Sequence, residues 1–200
     1  MRDKNICVDK KELTKFLFEL GQMWRVKHCG FTVAGVANSE SIAEHSYRAA
    51  EIAFILAKME GANPYKTSFM VLIHDNGEAR INDAHRIVRR YINTDKGERK
   101  VALDQFKRLP NNIEKDFKEV YLEFEDRKTL EAKCAKDADY LEQAVAAKEQ
   151  IDIGYKGCRD WIINIKKALM TDSTKELLLE IENMDRNEWY SGLKKMKKQK

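Results

Sequence analysis

Proline is nearly absent: Pro64 and Pro110 are the two examples in 200 residues, so few breakers interrupt the long helical patterns and a disordered or many-stranded chain is disfavoured. Cysteine is sparse and scattered. Cys7, Cys29, Cys134 and Cys158 form no C-x-x-C pair and no zinc-knuckle or disulfide spacing, which predicts reduced thiols. Long apolar runs are missing too, none approaching the ~20 residues of a membrane span. The opening Met1-Arg2-Asp3-Lys4-Asn5 offers no apolar signal segment, so the expectation is a cytoplasmic protein without membrane contact. No internal repeat, low-complexity linker or convincing strand pattern is visible.

What remains is 43% hydrophobic and 35% charged, a balance that suits a helix-rich globular domain. The length allows one domain, expected over residues 1–193, with a basic tail at 194–200. That tail holds Lys194, Lys195, Lys197, Lys198 and Lys200; removing their five charges from the formal +4 leaves the body at −1. Such a tail makes weak contacts with anionic surfaces, yet solvated termini commonly end this way, and no specific nucleic-acid partner is expected.

Hydrophobic spacing predicts an all-α bundle. Leu13, Phe16, Leu17 and Leu20 mark one buried stripe of a first helix from Lys10 to about Met23. Ser41-Ile42-Ala43-Glu44 has the form of a capping box, so a second helix is expected from Ser41 to Gly61, with Ile42, Ala49, Ile52, Ala53 and Leu56 facing inward. Asn63-Pro64 supplies an N-cap and a first-turn proline for a third helix. Phe69 to Ile73 is apolar on every side, which places its end, His74-Asp75, at the edge of the core, with Asn76-Gly77 as a cap or break. Further helices are expected at 97–107, 113–124, 129–151, 158–170 and 174–193.

Three of the four histidines, His45, His74 and His85, fall in the most strongly patterned stretch. His45 lies in the first turn of a helix, where the dipole favours neutral, ligand-competent imidazole. His74 and Asp75 are adjacent, about 100° apart on a helix, and reach one ion if it sits at the helix edge. Asp139 lies in a long helix where Ala135, Ala138 and Ala146 permit close packing, and a carboxylate there needs a partner or a metal. Each residue alone is more often a hydrogen-bonded core group than a ligand. Together, two imidazoles and two carboxylates on three helices suit Mn²⁺, Fe²⁺, Co²⁺, Ni²⁺ or Zn²⁺ more than Ca²⁺, and Mg²⁺ with extra waters.

These residues carry a resemblance. Glu44-His45, His74-Asp75-Asn76-Gly77-Glu78 and Lys136-Asp137-Ala138-Asp139 are similar, in order and context, to the H…HD…D signature of the HD-domain phosphohydrolases. The likeness spans about residues 13–148 and is strongest to the small single-domain branch that includes 5'-deoxynucleotidases. It implies an HD-domain helical bundle with additional C-terminal helices, a divalent metal held by His45, His74, Asp75 and Asp139, and a water activated or positioned by Glu78. It also implies a substrate or leaving-group role for Asp83, and substrate contact by Asp75 and Asp139. Upstream, where relatives carry an Arg and a Trp that orient phosphate, this chain reads His28-Cys29-Gly30-Phe31, so His28, Phe31 and the nearby Arg25 are the substrate candidates. Trp24 and Phe31 are the aromatics expected to wall off a 2'-hydroxyl.

The function so implied is metal-assisted attack of water on a (deoxy)ribonucleoside 5'-monophosphate. The alternatives are another nucleotide phosphoester, such as a triphosphate or cyclic nucleotide, or a non-catalytic metal-bound regulatory domain. A homodimer is expected, with Trp161, Ile162, Ile163 and Ile165 as a contact face or as intramolecular core.

Overall fold

The computed structural model describes residues 9–194. The expected basic tail lies outside it except for Lys194. Among the described residues ten α-helices follow one another, and the one β pairing is a single antiparallel bridge between Lys27 and Ser41.

Helix α1 (Lys10–Leu20) begins at Asp9, whose carboxylate accepts from the N–H groups of Lys11 and Glu12. It ends three residues short of the expected Met23, in tight turns. A 3₁₀ stretch, Cys29–Ala34, then leads to α2 (Ile42–Glu60), which closes on Gly61 in the left-handed conformation. The capping box is formed in both directions: the Ser41 hydroxyl accepts from Glu44 N–H at 3.3 Å, and the Glu44 carboxylate accepts from Ser41 N–H at 2.6 Å. Such a cap is worth about 1 kcal/mol, and it sets the register of His45.

Helix α3 (Pro64–Ile73) starts at Asn63 as expected. It is not buried all round, because Met70, Val71 and Ile73 face the core while Leu72 is 51% exposed. The four-residue α4 (Glu78–Ile81) and α5 (Arg86–Arg89) lead to α6 (Thr94–Phe106), α7 (Asn111–Asp126) and the long α8 (Leu130–Asp152). Two shorter helices finish the fold, α9 (Arg159–Ala168) and α10 (Asp172–Asn183). The last helix stops ten residues before the expected Leu193, the chain continuing through a 3₁₀ turn at Glu188–Tyr190.

The core forms where α2, α3 and α8 pack on one another. Helix α8 contributes Ala132, Ala135, Ala138, Ala144, Ala146 and Ala147, against Ala49, Ala53 and Leu56 of α2 and Met70 and Val71 of α3. Small side chains bring the backbones close, so polar groups from three helices reach one another across the interface. A second cluster, Phe16, Ile73, Phe106 and Tyr121 among others, seats α1, α6 and α7 on the far side of α3. Ile162 and Ile165 are buried in the main core, and Trp161 packs against it; of the expected contact stripe only Ile163, 53% exposed, faces outward. That stripe is therefore intramolecular.

Candidate metal centre

Three helices bring the expected ligands together. His45, 1% exposed, lies one residue past the capping box in the first turn of α2. Its Nε2 faces Asp139 Oδ1 at 3.3 Å and Asp75 Oδ2 at 3.7 Å, and its Nδ1 faces Glu142 Oε2 of α8. His74 caps the end of α3, and its Nδ1 donates to the Val71 carbonyl at 2.6 Å. A carbonyl only accepts, so the proton of a neutral His74 is on Nδ1 and the lone pair is on Nε2. That Nε2 lies 3.1 Å from Asp75 Oδ2 and 3.7 Å from Asp139 Oδ1.

Imidazole lone pairs aimed at carboxylate oxygens repel unless positive charge lies between them, either a proton or a metal ion. Burial disfavours imidazolium at His45, but Glu142 and Asp139 outweigh it and raise its pKa well above the histidine range. Burial works against the Asp139 carboxylate too. The ammonium of Lys136 and the two imidazoles, when these are protonated, nevertheless hold it well below the carboxylate range. The ammonium of Lys136 lies 2.5 Å from Asp139 Oδ2, and Gln143 Nε2 donates to Oδ1 at 2.8 Å. His45, His74 and Asp139 can each turn one donor atom to a common ion, with Asp75 beside them. This mixed nitrogen and oxygen set fits a divalent transition ion.

Glu78 sits on the next turn. Helix α3 ends at Ile73, ahead of the expected cap or break at Asn76-Gly77, and Gly77 itself is right-handed. Hydrogen bonds from Glu78 N to Asp75 O (2.9 Å) and from Ala79 N to Asn76 O (3.2 Å) carry the chain on in the same sense. Glycine is required at 77 by packing: a Cβ there would lie 2.4 Å from the backbone oxygen of Glu98. The Glu78 side chain is buried, its Oε2 has no hydrogen-bond partner among the described residues, and Arg89 Nη2 is 4.0 Å from its Oε1. Burial, with Asp75, Asp83 and Glu98 nearby, raises its pKa well above the carboxylate range, and Arg89 opposes the shift. Such a group keeps its proton more readily than an exposed carboxyl.

The substrate candidates fare unequally. Asp83 accepts from Cys29 N–H at 2.6 Å, so at least one of its oxygens anchors the loop that carries His28. The His28 ring lies 4.7 Å from that of His45, at the edge of the cluster, with its Nδ1 3.3 Å from Glu40. Arg25 does not supply the missing guanidinium here: it is exposed and donates to the Gly21 carbonyl at 2.5 Å, because the end of α1 leaves that acceptor free. Phe31 is not a pocket wall either. It is 2% exposed, with its ring 5.3 Å from that of Trp161, while Trp24 is 69% exposed on the surface. Sequence reasoning missed Glu142, Lys136 and Gln143 as partners of the ligands. Their spacing of three and four residues about Asp139 on one helix is the signal that places them on its face.

The chain is similar to known proteins in sequence and in fold. A family model described as HD domain matches residues 20–177. The chain is 30% identical over 149 residues to the 5'-deoxynucleotidase HDDC2 of Bos taurus, covering 73% of this chain and 71% of the relative. Among solved structures, a conserved hypothetical protein of Pyrococcus furiosus superposes with a TM-score of 0.72 at 28% identity, covering 86% of this chain and 99% of that one. A "Predicted metal-dependent phosphohydrolase" of Magnetospirillum magnetotacticum gives a TM-score of 0.68 at 21% identity over 86% and 90%, a likeness of fold.

Proposed function

The chain belongs to the HD-domain family, and from that membership we propose that it is a metal-dependent phosphohydrolase that cleaves deoxyribonucleoside 5'-monophosphates to nucleoside and phosphate. One observation carries the reading: His45, His74, Asp75 and Asp139 converge from three helices with both Nε2 atoms facing carboxylates, and a buried Glu78, whose Oε2 accepts no hydrogen bond among the described residues, stands one turn away. The relative named 5'-deoxynucleotidase supports the substrate class.

His45, His74, Asp75 and Asp139 would hold the ion. A divalent ion held there would supply positive charge to polarise a phosphoryl oxygen and would lower the pKa of a water from 15.7 towards ~7. Lys136 keeps Asp139 ionised and turned inward, and the two Nδ1 contacts keep the imidazoles in one orientation. Glu78 moves the proton: its free Oε2 takes one from the attacking water, and the resulting acid protonates the departing 5'-oxygen. Arg89, itself paired with Glu98, lies 4.0 Å from the carboxyl and opposes its burial with positive charge. Of the three upstream substrate candidates, His28 is the one beside the cluster, and it is the proposed phosphate contact. Asp83 holds the loop that presents it. A cytoplasmic location is supported by the unpaired thiols of Cys29, Cys134 and Cys158, and a homodimer by the commonness of two-fold assembly.

Phosphate release from paired deoxy- and ribonucleoside 5'-monophosphates, measured with Co²⁺, Mn²⁺ or Mg²⁺, tests the reading. Faster turnover of the deoxy substrates with little discrimination among bases is expected. Activity confined to triphosphates or cyclic nucleotides would reassign the substrate, and no release from any nucleotide would leave a regulatory domain.

A further inference from the structure

Helix α8 brings His45 a carboxylate that is not among the proposed metal ligands. Glu142 is completely buried, and its two oxygens are divided. Oε2 faces His45 Nδ1, while Oε1 accepts from Arg48 Nε at 2.8 Å and lies 2.6 Å from Arg48 Nη2. Arg48 stands one turn beyond His45 on α2 and carries the row outward, its Nη1 donating to both oxygens of Glu149 at 3.0 and 3.1 Å and its Nη2 to Glu40 at 3.4 Å. Glu40 in turn meets His28. His28, Glu40, His45 and Glu142 would themselves make a second cation cluster, but the Arg48 guanidinium already bonds both of its carboxylates and supplies that positive charge.

Resting on the metal-centre reading above, we propose that Glu142, held by Arg48, is a positioning residue that accepts a hydrogen bond from the Nδ1–H of His45 and so commits Nε2 to the metal. Neutral imidazole carries its proton on either nitrogen, and only the unprotonated one binds an ion. His74 has its tautomer fixed by the Val71 carbonyl; His45 has no backbone acceptor in that role, and Glu142 replaces it. A carboxylate can accept on both sides at once, from Arg48 and from His45. An amide cannot. In Glu142→Gln either the guanidinium or the imidazole meets an N–H₂ group, and when it is the imidazole, His45 must shift its proton to Nε2 and cease to be a ligand.

Competition with a chelator measures Co²⁺ affinity without any substrate. Glu142→Gln should bind Co²⁺ about 10- to 100-fold more weakly than wild type, with helical circular dichroism unchanged. Arg48→Lys, which keeps the charge but loses the fork, should fall between the two. Glu149→Gln, at the outer end of the row, should stay within about threefold of wild type by the same reasoning. Long-range ¹H–¹⁵N correlation of the histidine rings in wild-type protein loaded with Zn²⁺ needs no variant: His45 should carry its proton on Nδ1. Wild-type affinity in a folded Glu142→Gln protein overturns the proposal while leaving the metal centre standing, whereas a His45 proton on Nε2 overturns the proposal and removes His45 from the ligand set. Failure of wild type to bind Co²⁺ overturns both.

Discussion

At the scale of single residues, side chains of the same type do different work because of where their atoms point. Asp137 and Asp139 are two apart on α8, and both are buried. Asp137 accepts from Met170 N–H, Thr171 N–H and the Thr171 hydroxyl, tying the α9–α10 connection to α8, whereas Asp139 faces two imidazoles. Glu78 differs from both in having an oxygen without a partner. Glu78→Ala should therefore retain the metal while phosphate release slows by roughly 10²- to 10⁴-fold, the scale for a lost general acid or base. Turnover should fall more than affinity for substrate. Unchanged kcat in metal-replete Glu78→Ala would remove the residue from the chemistry. The four residues that converge on the candidate centre were legible in the sequence because they fall in recognisable local patterns. The fate of Arg25 and Phe31 was not. A guanidinium three residues from a motif can turn either way, and here the free carbonyl of Gly21 decides it.

At the scale of elements, the caps were readable and several ends were not. Ser41, Asn63 and Thr129 announce their helices through side chains that bond the following N–H groups, a local event complete within four residues. The passage from α3 to α4 is a tertiary matter. Gly77 adopts an ordinary right-handed conformation, and only the approach of α6 explains why no larger residue stands there. Gly77→Ala should cost about 1–3 kcal/mol as an overpacking change, which for a chain of this size lowers Tm by several degrees. Since the same turn spaces Asp75 from Glu78, activity should drop further than stability alone explains. Thermal melting alongside kcat at a temperature where the variant is folded checks both. A Tm equal to wild type would mean that α6 yields at little cost. The early end of α10 has the same kind of origin. Its apolar spacing persists past Asn183, but no described core residue lies beyond Leu178.

At the scale of the whole molecule, the proposed ligands bridge α2, α3 and α8, the helices that make the main core. An ion bound to all three is bound to the folded state alone, so it should stabilise by mass action, about 2.7 kcal/mol at a concentration 100 times Kd. Co²⁺ or Mn²⁺ should raise Tm and a chelator should reverse the rise. In His74→Ala and Asp139→Ala the metal-dependent increment should disappear, and elemental analysis should find most of the bound ion gone. Retention of metal and increment in both variants would mean that the ion sits elsewhere.

The rings behind His45 have an optical consequence. Trp161 packs on Phe31, Phe31 on His28 and His28 on His45, with centroids 5.3, 5.9 and 4.7 Å apart along the row. Trp161 is half-buried in this row, while Trp24 and Trp189 are 69% and 77% exposed. Their emission should separate by colour, with Trp161 on the blue edge and the two surface indoles on the red. Co²⁺, an efficient quencher, should dim the blue edge as it fills the centre and leave the red edge nearly unchanged. Equal dimming at both edges would mean that the ion does not bind near Trp161. A reaction whose products are colourless thus has a fluorescent gauge of its loaded state packed behind the site.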